Sequence, residues 1–168
     1  MVSKVKFFIE VNRLKELKRT GWVLRKVKNP ESVADHIFET AIAGWLLAKR
    51  AKLRQEKVIK SCLAHDLCEV FAGDITPIFY YPSLSQDEKE REKILRKWGR
   101  LSFSQKRKIG KKKFEFEKKA LLKLLGYLEP KIQREIFLFW LDYEKGITPE
   151  GKFARQINRI ETLLQSIT

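Results

Sequence analysis

Acidic residues are scarce in this chain. Twenty-one Asp or Glu stand against 36 Lys or Arg, which leaves a formal net charge of +15. Histidine and cysteine number only two each. No apolar run approaches the ~20 residues that cross a bilayer. The best stretch, Ile37 to Ala48, is short and interrupted by Glu39, so no membrane partner is expected. The opening MVSKVKFFIEVNRLKELKR lacks both a long apolar core and a small-residue cleavage site, which argues against a secretory signal. Alternating apolar strands and internal repeats are also missing. Cys62 and Cys68 lie six residues apart and form no CxxC. On a helix turning ~100° per residue they point to separate sides and cannot bridge. They read as two reduced core thiols in a cytoplasmic protein.

What the chain does have is a globular composition. Hydrophobic residues make up 43% of 168, with 11 Phe and 4 Trp, enough for one domain over 1–168. The positive charge is local. Between Lys89 and Lys123 stand 15 Lys or Arg and 4 Asp or Glu, an excess of 11. Such a stripe can grip phosphate backbones. It can also be a solvated helix face or a lysine-rich thermophile surface. It lacks Gly-rich, RNP-like or zinc-finger patterning, so nucleic acid is the less favoured partner.

Helical periodicity runs almost throughout. Phe7, Val11, Leu14 and Leu17 mark a first helix, followed by a loop from about Arg19 to Glu31. Ser32 and Asp35 form a capping-box pattern for a second helix to about Leu53, with Ile37, Ala41, Gly44 and Leu47 on one side. A third helix is expected from about Gln55 to Phe71. Gly73, Pro77 and Pro82 then break the chain, and a short charged helix follows from Ser85 to about Trp98. A basic helix from about Ser104 to Leu125 stops at Gly126. Pro130 opens a helix carrying Ile132, Ile136, Phe139 and Tyr143, which Gly146 ends. Thr148-Pro149 opens the last, with Phe153, Ile157, Ile160 and Leu164 at helical spacing. The expectation is one all-α domain of about six or seven helices.

The stretch CLAHDLCEVFAGDITP, residues 62–77, is mostly apolar yet carries His65, Asp66, Glu69 and Asp74. On a continuous helix, positions 65, 66 and 69 fall within an arc of about 100°. The other histidine, His36, sits on the apolar second helix. A lone core histidine is usually satisfied by its neighbours, and Asp66 with His36 would make an ion pair. That pair leaves Glu69 and Asp74 unexplained, and burying charge without partners costs several kcal/mol. Two His and one Asp suit a divalent ion such as Mn, Fe, Co, Ni or Zn.

The blocks SVADH (32–36), HDLCEVFAGDITP (65–77) and EGKFARQINRIETLLQ (150–165) resemble the HD-domain metal-dependent phosphohydrolases, in their 5'-deoxynucleotidase branch. RTGWVLRKVKNPESVADH from Arg19 adds a fourth block in order. The resemblance is weakest across about 83–120, where the basic stretch looks like an expanded connection within the domain. It implies a helical HD-domain bundle and one divalent metal ion (Mn, Co, Fe, Ni, Zn or Mg). His36, His65 and Asp66 stand at ligand positions, Glu69 and Asp74 at acid–base positions, and Arg19 and Arg25 at phosphate-contact positions. Trp22 matches an aromatic that shapes a sugar pocket, although an aromatic there also serves as core or lid. In the last helix, Asn158 stands where the family usually has an Asp as fourth ligand, so the resemblance implies weaker metal binding or a more acidic bound water.

The activity implied is hydrolysis of a (deoxy)nucleoside 5'-monophosphate to nucleoside and phosphate. Two alternatives stay open: a weakened HD domain that binds nucleotide or nucleic acid without turnover, and an HD phosphohydrolase of another phosphorylated substrate. The resemblance also implies a homodimer. An apolar face near Phe137 to Trp140 is compatible with a dimer and equally with core.

Overall fold

The computed structural model describes residues 2–75, 89, 93 and 102–167. The expected break at Pro77 and Pro82, and nearly all of the charged helix at 85–98, lie outside these. Among the described residues the elements are helical. They are α1 (Val2–Asn12), a 3-10 turn (Arg13–Lys15), α2 (Thr20–Leu24), α3 (Val33–Arg50), α4 (Gln55–Ala64), α5 (Glu69–Ala72), α6 (Phe103–Leu125), α7 (Pro130–Lys145) and α8 (Pro149–Gln165). Helix α3 packs on α4 and α8, α4 on α7 and α8, and α5 on α6.

Helix α3 starts where the sequence places it. Ser32 accepts a hydrogen bond from the Asp35 amide, and the Asp35 carboxylate accepts one from the Ser32 amide at 2.9 Å, closing the capping box. The buried stripe is Val33, His36, Ile37, Thr40, Ala41, Gly44 and Ala48. Leu47 lies outside it, 38% exposed. Gly44 is where α3 and α4 touch. A Cβ there would lie 2.9 Å from Cys62 Sγ and 3.1 Å from Val58. The missing side chain lets the two helices that carry the histidines approach.

The expected helix through Phe71 is interrupted. Helix α4 ends at Ala64, and residues 65–68 turn before α5 begins at Glu69. His65 Nδ1 lies 2.5 Å from the Cys62 carbonyl, so the ring takes an acceptor from the end of the α4 ladder. Beyond it the amides of Leu67, Glu69 and Val70 bond three residues back, to Ala64, Asp66 and Leu67.

The expected loop at 19–31 contains α2 and is closed at its base. Lys18 and Ser32 form an isolated antiparallel bridge. The Arg19 amide donates to Glu31 O at 3.0 Å and the Val33 amide to Leu17 O at 2.8 Å. Arg19, Trp22 and Glu31 are thereby hung over the start of α3.

At the other end, Trp140 is fully buried and stacks on Phe114, with ring centroids 5.2 Å apart. Phe137, half-buried, packs against the same core. The face near Phe137 to Trp140 is therefore mainly core. In α8 the buried stripe is Glu150, Gly151, Ala154, Ile157 and Glu161, while Ile160 and Leu164 are 43% and 52% exposed. The stripe turned inward carries small and polar residues because it faces α3 and the polar cluster there. The first turn of α8 is locked to α7: Asp142 accepts hydrogen bonds from the Thr148 amide at 2.8 Å and its hydroxyl at 2.5 Å. Gly151 sits so close that a Cβ would meet the Asp142 carboxylate and lie 2.6 Å from its carbonyl oxygen.

Of the basic stretch, the described α6 turns Lys106, Arg107, Lys108, Lys111 and Lys112 outward, as a solvated helix face does. Lys113 reaches back to the buried Glu117 at 3.1 Å. Both cysteines are free and buried, and burial pushes the Cys62 thiol up to about 12.

Candidate active site

His36 comes from the first turn of α3, and His65 and Asp66 from the turn after α4. Both histidines are essentially inaccessible. Their Nε2 atoms lie 3.2 Å apart. Asp66 Oδ2 lies 3.0 Å from His65 Nε2 and 3.6 Å from His36 Nε2. A carbonyl only accepts, so His65 carries its proton on Nδ1, and its Nε2 offers a lone pair. His36 Nδ1 lies 2.6 Å from Glu161 Oε2, an electrostatic environment that favours the same tautomer. Burial, with Arg19 nearby, lowers the His36 pKa to about 4, so the ring is neutral near pH 7. Burial opposes ionisation of Asp66, but His65, Arg19 and His36 together hold its carboxyl well below the usual range.

Three acceptor atoms, two ring nitrogens and one carboxylate oxygen, therefore converge within 4.8 Å. Acceptors so placed repel unless a cation lies among them. Two imidazoles and a carboxylate fit a borderline divalent metal. The pattern of one known family matches residues 11–119 and again 103–168.

The chain belongs to the HD domain family. Among its relatives, the 5'-deoxynucleotidase HDDC2 of Xenopus laevis is 30% identical over 165 residues, covering 98% of this chain and 68% of that protein. The 5'-deoxynucleotidase HDDC2 of Dictyostelium discoideum is 31% identical over 173 residues, covering 99% and 77%. A conserved hypothetical protein from Pyrococcus furiosus superposes with TM-score 0.66 at 26% identity, over 97% of this chain and 80% of that one. A Magnetospirillum magnetotacticum protein described as a predicted metal-dependent phosphohydrolase gives 0.65 at 25%, over 97% and 70%.

Beside the HD cluster, Arg19 Nη1 donates to Asp66 Oδ2 at 3.2 Å and lies 3.9 Å from Asp74 Oδ1. Burial works against its charge, but Asp66, Asp74, Glu69 and Glu31 outweigh it and raise the pKa. Asp74 is fixed by Thr20, whose amide donates to Oδ2 at 2.6 Å and whose hydroxyl donates to the Asp74 carbonyl at 2.7 Å. A cavity of about 460 Å³ opens there, lined by Arg19, Trp22, Arg25, Asp74, Arg159 and Thr162 among others. It gathers four of the residues expected from sequence: Arg19, Trp22, Arg25 and Asp74. Arg25 lies at its exposed side and donates to Gly21 O at 3.1 Å.

Glu69 lines a separate cavity of about 350 Å³ with Arg13, Glu16 and Gly73. Its Oε2 is buried without a hydrogen-bond partner. Burial, then Asp66 and Asp74, push its carboxyl well above the usual range. Asn158 is half-buried on α8 and its amide donates to the Tyr143 hydroxyl at 2.7 Å. The Tyr143 ring packs on His65, with centroids 4.8 Å apart.

Glu31 and Glu161 escaped sequence reasoning. Both are buried, and their carboxylates gather with His36 within 4.8 Å. Burial pushes both carboxyls up. Glu161 had one signal, its place three residues after Asn158. Glu31 had none beyond its position just before the capping box, because only closure of the loop brings it inward.

Proposed function

We propose that this HD domain hydrolyses (deoxy)nucleoside 5'-monophosphates to nucleoside and phosphate, with one divalent ion held by His36, His65 and Asp66. The observation that carries this reading is the meeting of two Nε2 lone pairs and Asp66 Oδ2 within 4.8 Å in a buried site. The name 5'-deoxynucleotidase borne by relatives at about 30% identity supports the substrate class. Asn158 is the proposed fourth ligand, through its amide oxygen, the amide nitrogen being given to Tyr143. The single domain over 1–168, with 83–120 as an expanded connection, belongs to the same reading.

A divalent ion in such a site polarises a phosphoryl oxygen and lowers the pKa of a bound water. The rest falls to side chains. Arg19 and Arg25 bind the phosphate in the cavity they line, Arg19 exchanging part of its contact with Asp66 for phosphoryl oxygens. Trp22 forms the wall against the sugar. Glu69 or Asp74 takes the proton of the attacking water or gives one to the leaving 5'-oxygen, and Asp74 also faces Arg19 at 3.9 Å.

Homodimerisation and a cytoplasmic setting are included in the proposal. Phe38, Trp45 and Leu46 on α3 are each more than half exposed, an apolar face that a second copy would cover. Two free buried thiols suit a reducing compartment. Among the described residues no helix is long and apolar enough to cross a membrane.

The test is phosphate release from a panel of deoxynucleotides and ribonucleotides with manganese or cobalt. Flat activity across the panel and all metals overturns the reading. A second reading, binding without turnover, is favoured by the neutral amide of Asn158 and the outward lysines of α6. It predicts nucleic-acid affinity that falls steeply with salt. Activity on triphosphates or cyclic nucleotides alone would indicate another phosphorylated substrate.

A further inference from the structure

Glu31 touches the Trp22 wall of the cavity and the Glu161–His36 pair, and its Oε1 lies 3.9 Å from Arg19 Nε. On one side, Trp22 Nε1 donates to Glu31 Oε1 at 2.8 Å, and Trp22 lines the 460 Å³ cavity. On the other, the Glu31 carboxylate gathers with Glu161 and His36 Nδ1 within 4.8 Å. The Glu31 side chain is only 5% exposed, and its Oε2 has no hydrogen-bond partner. Glu161 Oε1 is likewise buried and unsatisfied, while its Oε2 lies 2.6 Å from His36 Nδ1. A carboxylate is costly to bury, and a loop residue in solvent reach has no need to turn in. Its position is set by backbone: the Glu31 carbonyl accepts the Arg19 amide at 3.0 Å, and the bridge from Lys18 to Ser32 closes the loop beside it.

We propose that Glu31 is a positioning residue that ties the Trp22 wall of the nucleotide pocket to the Glu161–His36 pair behind the metal-type cluster, so that one side chain sets both nucleotide fit and metal affinity. The inference rests on the proposed substrate and metal reading. Partners of a ligating histidine's far nitrogen typically change metal affinity 10–100-fold when removed. The Trp22 contact acts differently, by fixing which face of the indole meets the sugar.

Three variants separate these roles, read by cobalt(II) affinity from its visible absorption and by equilibrium binding of a deoxynucleoside 5'-monophosphate. Neither readout needs turnover, so an inactive wild type would remove the hydrolase reading and leave this one decidable. Glu31→Ala should weaken cobalt binding by about tenfold or more and also weaken nucleotide binding. Glu31→Gln should recover both to within a few-fold of wild type, because its carbonyl accepts from Trp22 and its amide donates toward Glu161. Trp22→Phe should weaken nucleotide binding, narrow the preference between deoxy and ribo forms, and leave cobalt affinity within about twofold, since only the indole N–H and ring size change. A Glu31→Ala protein that changes neither affinity, or only one, overturns the proposal, as does a Glu31→Gln protein as impaired as the alanine variant. If Glu31→Ala does not fold, the other two decide: loss of cobalt affinity in Glu31→Gln, or unchanged nucleotide binding in Trp22→Phe, overturns it.

Discussion

Arg19 Nη1 lies 3.2 Å from Asp66 Oδ2, the oxygen that also lies 3.0 Å from His65 Nε2. One carboxylate oxygen thus faces an arginine and a metal-type nitrogen at once. Removing it as Asp66→Ala should abolish divalent-metal binding, because two imidazoles and an amide would remain, with no carboxylate among them. The helices should still form, since Asp66 is in a turn and is not part of the apolar core. Metal content of the purified variant checks this, and unchanged stoichiometry would rule out the ligand assignment.

Glu69→Gln should keep the metal and lower turnover by ~10²-fold or more, as loss of acid–base help does. The glutamine fills the same buried space without a charge, and burial already disfavours the Glu69 carboxylate, so stability should not fall. Steady-state kinetics with a parallel metal titration are the measurement. Unchanged turnover with metal bound would transfer the proton role to Asp74.

Asn158→Asp should strengthen divalent-ion binding. The substitution is nearly isosteric and adds a negative charge. A charge-assisted contact exceeds a neutral one by about 1–2 kcal/mol, roughly ten- to thirtyfold in affinity. The aspartate cannot donate to the Tyr143 hydroxyl as Asn158 does at 2.7 Å, but that hydroxyl can turn and donate instead. Titration calorimetry on both proteins decides it. Equal affinities would mean that residue 158 lies outside the coordination sphere.

Glu117 gives stability an unusual pH dependence. Burial pushes its carboxyl up to about 7, an effect that Lys113 at 3.1 Å only partly offsets. The folded state therefore holds a proton that the unfolded chain, with its ordinary value near 4.5, has released. The contribution is fully present below about 4.5 and is lost as pH rises through about 7. It amounts to at most about 3 kcal/mol. Melting temperatures of wild type and Glu117→Gln across that window should diverge in slope, the variant being flatter. Parallel curves would refute the assignment.

Gly151→Ala should destabilise by about 1–3 kcal/mol, because the new methyl would run into Asp142, including its backbone carbonyl at 2.6 Å. Denaturant unfolding measures it. A variant as stable as wild type would mean that α7 and α8 separate without cost.

The sequence made α3 legible because its start depends on neighbours three residues apart, Ser32 and Asp35, and its core face on a local period. It also made His36, His65, Asp66 and Asp74 legible, since rare polar residues stood out against apolar helices. It did not show the break after Ala64. That break follows from a ring nitrogen taking the Cys62 carbonyl, which no periodicity records. Helical spacing of Ile160 and Leu164 likewise did not tell which side of α8 turns in: both are exposed, while Glu161 faces His36. Glu31 depends on contacts across the whole 19–31 loop, which local patterns do not encode.

The base of that loop has a mechanical consequence. Residues 19 to 31 leave and rejoin the body through paired strands of backbone only one residue wide, at Lys18 and Ser32. Arg19, Trp22 and Glu31 therefore share one loop with a single closed base, and Thr20 ties that loop to Asp74 through its amide at 2.6 Å and its hydroxyl at 2.7 Å. The amides of Arg19 and Val33 close that base. Their exchange with solvent deuterium should slow when a nucleotide monophosphate binds against Arg19 and Trp22 and steadies the loop, while amides in the middle of α3 keep their rates.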